Sequence, residues 1–113
     1  MSRDPRLLLA DIVEACDDVA AIVAGIAFQE FTASVEKVAA IERKIFVIGE
    51  GAARLPEEFR DQHEHVPWPL IIGMRNILAH AYWQIDRTVL WNAATQAVPA
   101  LLTEVRRILG ESA

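Results

Sequence analysis

Ile71-Ile72-Gly73-Met74-Arg75-Asn76-Ile77-Leu78-Ala79-His80-Ala81-Tyr82 is an apolar run broken by four polar side chains, Arg75, Asn76, His80 and Tyr82. Pro67 and Pro69 stand just ahead of it. Proline suits the first turn of a helix, where its missing amide hydrogen would have had no intrahelical partner. The spacing predicts a helix from about Pro67 to His80. At about 100° per residue Asn76 and His80 share one face, whereas Arg75 is turned from His80 by about 140°. An arginine has the length to bend round that angle, so an imidazole and a guanidinium can meet one anion near the end of this helix.

The flanking sequence keeps the helical period. From Pro5 to about Ala24 the residues Leu8, Ile12, Ala15, Val19, Ile22 and Ile26 recur every three or four positions, with Asp11, Glu14, Asp17 and Asp18 mostly between them, as in an amphipathic helix. Gly25 ends it, and Phe28-Gln29-Glu30-Phe31 reads as a short turn that folds two aromatics back onto the bundle. Ser34 is the N-cap expected for a second helix reaching about Arg54, with Val38, Ile41, Ile45, Ile48 and Ala52 along one side. Gly49 and Gly51 each cost that helix roughly 1 kcal/mol relative to alanine, which points to close packing against another backbone. Leu55 to Val66 is polar and contains Pro56, and reads as a loop with about one helical turn. Asp86 is the expected N-cap of a fourth helix extending to about Leu109. That helix carries two apolar stripes, one through Leu90, Ala94, Ala97, Leu101 and Ile108, the other through Trp91, Val98, Leu102, Val105 and Leu109. One stripe is enough for a core, so the second hints at a subunit interface or at a helix buried all round. Pro99 is expected to kink the helix by removing its bond to the Thr95 carbonyl.

These readings give an all-α, antiparallel bundle of four to five helices, in one domain spanning residues 1–113. A chain of 113 residues supports one hydrophobic core and not two. Its 53% hydrophobic content and mean hydropathy of +0.22 are high for so small a bundle, so a second copy is expected to cover some apolar surface. The longest apolar run, Val19 to Phe28, is half of the roughly 20 residues that cross a bilayer. The start, Met1-Ser2-Arg3-Asp4-Pro5-Arg6, lacks the apolar core of a secretory signal, and a cytoplasmic location is expected. Cys16 shares a stripe with Ile12, Val19 and Val23 and reads as a small core residue. The net charge of -5 repels nucleic acid at long range, so a nucleic-acid function needs arginines gathered locally in a cleft.

Few residue sets here carry chemistry. His63-Glu64-His65 has no third ligand at useful spacing, and neither HExxH nor CxxC occurs, so no metal site is expected. Trp68, Trp83 and Trp91 read as core or interface aromatics, although such side chains also stack bases. The imidazole of His80 can move a proton to or from a ribose hydroxyl, while the Arg75 guanidinium holds a phosphate. The competing reading is structural: Arg75 pairs with a helix-two carboxylate such as Glu50, and His80 caps its helix.

Arg75, four residues, His80, one residue, Tyr82 resembles the R-x4-H-x-Y motif of the HepT-like branch of the HEPN superfamily, with Asn76 as the polar residue after the arginine. The likeness continues through Ile48-Gly49-Glu50-Gly51-Ala52-Ala53-Arg54-Leu55-Pro56-Glu57-Glu58-Phe59-Arg60, Val66-Pro67-Trp68 and Ile85-Asp86, and covers about Asp11 to Leu109. Phe46 departs from it, standing where many relatives have a glutamate, as does Glu64, where a loop proline is common. The resemblance implies a dimeric HEPN-type bundle and a metal-independent endoribonuclease, the toxin of a toxin-antitoxin pair, that needs no cofactor. Arg75 and His80 would be catalytic, Asn76 and Tyr82 supporting, and Arg43 and Arg54 candidates for phosphate contacts. The implied partners are RNA, a second copy of the chain, and a minimal nucleotidyltransferase of the MntA type that silences the toxin by transferring AMP to Tyr82. The alternative is a non-catalytic helical dimer that binds this nucleotidyltransferase or serves as its substrate.

Overall fold

The structure, a computed structural model, describes residues 4–80 and 85–111. Among these residues every regular element is helical: α1 (Pro5–Val23), α2 (Phe28–Thr32), α3 (Val35–Arg54), α4 (Glu57–Gln62), α5 (Trp68–His80), α6 (Arg87–Asn92), a π-helical segment (Ala93–Ala97) and α7 (Val98–Glu111). The long helices begin where side chains capture orphan amides. Asp4 accepts from the Arg6 amide, Ser34 from that of Lys37 at 3.1 Å, and Asp86 from that of Thr88 at 2.6 Å. Each satisfies a donor that the first helical turn leaves without a carbonyl. α1 stops at Val23, and Gly25 follows with φ +72°.

α3 lies at the centre, packed by α1 on one side and α5 on another, with α7 closing on α1. Ile12, Cys16, Val19, Phe31, Ile41, Ile48, Leu90, Val105 and Ile108 are among the residues that fill the core between them. Gly51 lets α1 in: a Cβ there would stand 3.0 Å from a Cγ of Ile12. Lys44 on α3 pairs with Asp18 at the other end of α1, so the two helices run antiparallel. Asp17 receives Arg106 of α7 through both carboxylate oxygens, at 3.0 and 3.1 Å. These exposed pairs set the register more than the stability. α5 packs on α3 and on no other helix to a comparable extent.

Two sequence readings need correction. Phe28–Thr32 is a helix of five residues and not a simple turn. It begins with Glu30 accepting from the Ala27 amide, buries Phe31, and sets Phe28 and Phe31 against Trp91 at 6.0 and 5.4 Å between ring centroids. Pro99 is preceded by a π-helical segment in place of a simple kink. The Val98 amide bonds to the Ala93 carbonyl, five residues back. Proline has no amide hydrogen and its ring crowds the carbonyl four residues earlier; widening the preceding turn relieves both. The two apolar stripes of the last helix favour the second of the readings open for it, burial on more than one side. Leu90, Ala94, Leu101 and Ile108 of the first and Val98 and Val105 of the second are all buried in one core, and Ala97 is exposed. The second stripe therefore serves the monomer, and apolar surface remains at Leu70, 76% exposed, Val89 and Ile77.

Other expectations are met. Cys16 is fully buried, and burial, with the Asp17 charge adding to it against an opposing Arg106, pushes its thiol up to about 12. Trp68 is buried, its indole donating to the His63 carbonyl at 3.1 Å. No helix among the described residues is long and apolar enough to cross a membrane.

Candidate active site

Arg75 enters the molecule through a gap that only glycine leaves. A Cβ on residue 49 would lie 2.2 Å from the Arg75 Cβ and 3.2 Å from the Ile71 carbonyl oxygen, so α3 and α5 approach almost backbone to backbone at this level. The arginine then bends outward along α3, and its Nε comes 3.2 Å from Oε1 of Glu50. The Nε hydrogen is not aimed at that oxygen and makes no hydrogen bond. The contact is therefore one of charge, between side chains 23% and 35% exposed. The terminal nitrogens of Arg75 meet no acceptor among the described residues. Arg54, one turn beyond Glu50, brings its Nε to 4.0 Å of the other carboxylate oxygen.

Glu50 thus gathers Arg54 and Arg75, leaving one net positive charge at the seam. Arg43 is a little farther along the same side of α3, since residues 43, 50 and 54 fall within about 40° of each other at 100° per residue. Its guanidinium lies 5.6 Å from the centroid of the Phe46 ring. Asn76 and His80 are exposed on α5, each turned about 200° from Leu78, which faces the core. His80 is the last described residue of α5. Tyr82 and Trp83 lie outside the described residues. The sequence-predicted set therefore divides into an arginine group at the α3–α5 seam and an Asn76–His80 pair on the adjoining outer face of α5.

A larger hollow lies elsewhere. A volume of about 730 Å3 between α5 and the α6–α7 arm is lined mainly by apolar side chains, among them Leu70, Met74, Val89, Ala93 and Leu101. Neither Arg75, Asn76 nor His80 lines it, so size does not locate the chemistry here. A smaller hollow of about 290 Å3, lined by Glu42, Arg43, Phe46 and Leu78, adjoins the arginine group. The sequence reading did not pick out Glu42 or Leu78; the signal for the former was its spacing of four and eight residues from Phe46 and Glu50.

The 63–65 segment makes side-chain contacts with α4 and α7. His65 Nε2 is 2.9 Å from Glu104, which also accepts from Arg107 at 2.8 Å, and His63 stacks on Phe59 at 4.6 Å. The Arg107 hydrogen bond, foremost, holds the Glu104 carboxyl below its ordinary 4.5. Among the described residues no group of three His, Cys, Asp or Glu side chains is placed to hold a metal ion.

A family description, Ribonuclease HepT-like, matches residues 12–108. A protein of Caldanaerobacter subterraneus subsp. tengcongensis, provisionally named an RNase, is 35% identical over 107 residues, covering 95% of this chain and 96% of its own length. A protein of Methanocaldococcus jannaschii, also provisionally named an RNase, is 35% identical over 103 residues, 91% of this chain and 94% of its own. One from Thermococcus cleftensis, provisionally named ribonuclease HepT, is 32% identical over 101 residues, 89% and 92% of the two chains. No solved structure gives a significant match.

Proposed function

The chain belongs to the HepT-like ribonuclease family, and on that basis we propose that it is a metal-independent endoribonuclease toxin working through Arg75 and His80. The observation that carries the assignment is the family match across residues 12–108, within which Arg75 and His80 keep a spacing of five. In the reaction the imidazole of His80 takes the proton from a ribose 2'-hydroxyl. The O2'–phosphorus bond forms as the bond to the 5'-oxygen breaks, and the departing oxygen is protonated. Arg75, held by its Nε edge against Glu50, directs its terminal nitrogens to the phosphate and offsets the charge that builds on it. Asn76, on the same face as His80, supports the imidazole or the ribose by hydrogen bonding. Arg54 and Arg43 extend the phosphate-binding side along α3. The products are a 2',3'-cyclic phosphate and a 5'-hydroxyl.

The active form is a homodimer in this reading. It brings two Arg75–His80 sets to one cleft, so that one imidazole acts as base while the other serves as acid, and it gathers positive charge on a chain of net -5. The exposed Leu70 and Val89, at the edge of the apolar hollow beside α5, support pairing. The antitoxin is a minimal nucleotidyltransferase. It joins the AMP phosphorus to the Tyr82 oxygen with loss of pyrophosphate from ATP, placing a negative charge two residues from His80, where RNA phosphate would otherwise sit.

The test is cleavage of total RNA in EDTA by protein purified without its partner, beside Arg75→Ala and His80→Ala. Cleavage by the wild type alone, leaving cyclic phosphate ends, is expected. No cleavage by any of the three, with Tyr82 unmodified by mass spectrometry, would overturn the nuclease reading in favour of a binding partner of the nucleotidyltransferase.

A further inference from the structure

The smaller hollow on the α3–α5 seam has the chemistry of a nucleobase site. At about 290 Å3 it sits at the low end of the roughly 300–1,000 Å3 typical of small-molecule sites, so it admits one planar ring system and little more. Phe46 is half-buried and offers its ring, over which Arg43 already rests a planar cation at 5.6 Å. The π surface that attracts a guanidinium also stacks a base. Arg43 is exposed, and its long stem lets it swing aside or lie over the base as a second layer. Glu42 lines the same hollow and has no ionic partner among the described residues.

Its position joins it to the proposed chemistry. Phe46 precedes Glu50 by one helical turn, about 6 Å along α3, and Glu50 holds Arg75 and Arg54. Leu78, the α5 wall of the hollow, is one turn beyond Arg75 and about 60° round the helix from it. A nucleotide with its phosphate at the arginines therefore has its base within reach of Phe46.

The geometry points to a base subsite: the hollow between Phe46 and Leu78 takes the nucleobase next to the scissile phosphate, stacked on Phe46, and Glu42 selects guanine. This rests on the ribonuclease reading. Guanine presents two neighbouring N–H donors, N1 and N2, to a carboxylate that accepts with both oxygens; cytosine and adenine present one amino group and uracil a single ring N–H.

Cleavage-site sequencing of total RNA and steady-state rates on a short oligonucleotide test it, for wild type, Phe46→Ala, Phe46→Tyr and Glu42→Gln, each checked for folding by circular dichroism. Wild type is expected to cut beside guanine. Phe46→Ala should raise KM about tenfold, the loss of one base–aromatic stack, with a smaller effect on kcat, and Phe46→Tyr should restore most of it. Glu42→Gln should flatten the preference for guanine. An unchanged KM and site distribution in Phe46→Ala would overturn the subsite while leaving the nuclease intact. Should wild type itself fail to cleave, the ribonuclease reading falls, and titration of ring-labelled Phe46 with GMP and CMP still decides the pocket. A ring shift with GMP exceeding that with CMP supports it, and no shift with either sinks it.

Discussion

Residue 49 has no side chain because Arg75 occupies the place where one would be: a Cβ there would stand 2.2 Å from the Arg75 Cβ and 2.9 Å from its Cγ. Both are the near end of the arginine, fixed to α5, so no rotation of a flexible tip relieves the overlap. Gly49→Ala is expected to push α3 and α5 apart at a cost of about 1–3 kcal/mol, despite alanine's better helix propensity. Thermal melting reads the cost. Cleavage should fall further than the melt alone explains, because Arg75 moves with α5.

The Arg75–Glu50 pair makes a contrasting prediction. With its members 23% and 35% exposed, such a pair contributes no more than about 1 kcal/mol to stability, so Glu50→Gln should barely shift the melting temperature. Its effect should fall on the chemistry, as a drop of about tenfold in kcat, since a guanidinium no longer held at Nε is misplaced for the phosphate. A rise in cleavage would instead identify Glu50 as a competitor for Arg75.

Cys16 ties stability to alkaline pH. Its thiol is pushed from an ordinary 9.0 up to about 12 in the fold, so between these values the unfolded chain releases a proton that the folded chain keeps. The contribution is complete below about pH 9 and is lost as pH rises toward about 12. Urea melts should show stability declining from about pH 9 upward, with a shallower decline in Cys16→Ala. A thiol reagent should modify Cys16 only as fast as the chain unfolds.

Leu70 is 76% exposed and Val89 47%, both lining the apolar hollow beside α5. If a second copy covers them, Leu70→Glu and Val89→Glu should lower the dimer fraction in sedimentation velocity and reduce cleavage, with secondary structure retained. A wild-type monomer at every concentration would remove the two-protomer cleft from the mechanism.

The helix starts at Val35 and Arg87 were legible because their caps Ser34 and Asp86 act within two or three residues. The same is true of the buried stripe Ile41, Ile45 and Ile48. α2 was not legible, since five residues are too few to display a period. The π-helical segment hid because Pro99 announces a missing hydrogen bond without saying how the backbone will absorb it. His65, Glu104 and Arg107 are joined only by tertiary folding, and an alternating His-Glu-His in a polar stretch reads the same with or without a partner. At the site, spacing placed Asn76 with His80 and offered Arg75 either Glu50 or a ligand. The structure supplies the former contact and leaves the arginine's terminal nitrogens open to the latter.

Because α5 leans chiefly on α3, the chain divides into a part that inheritance must keep together and a part free to drift. Apolar residues on the α1–α7 side are able to exchange for one another over generations without α5 registering the change. Positions 49 and 75 have no such liberty, and a larger residue at one would survive only beside a compensating change at the other. Paired replacement across this single seam is the mark that selection for the activity would leave in descendants of the sequence.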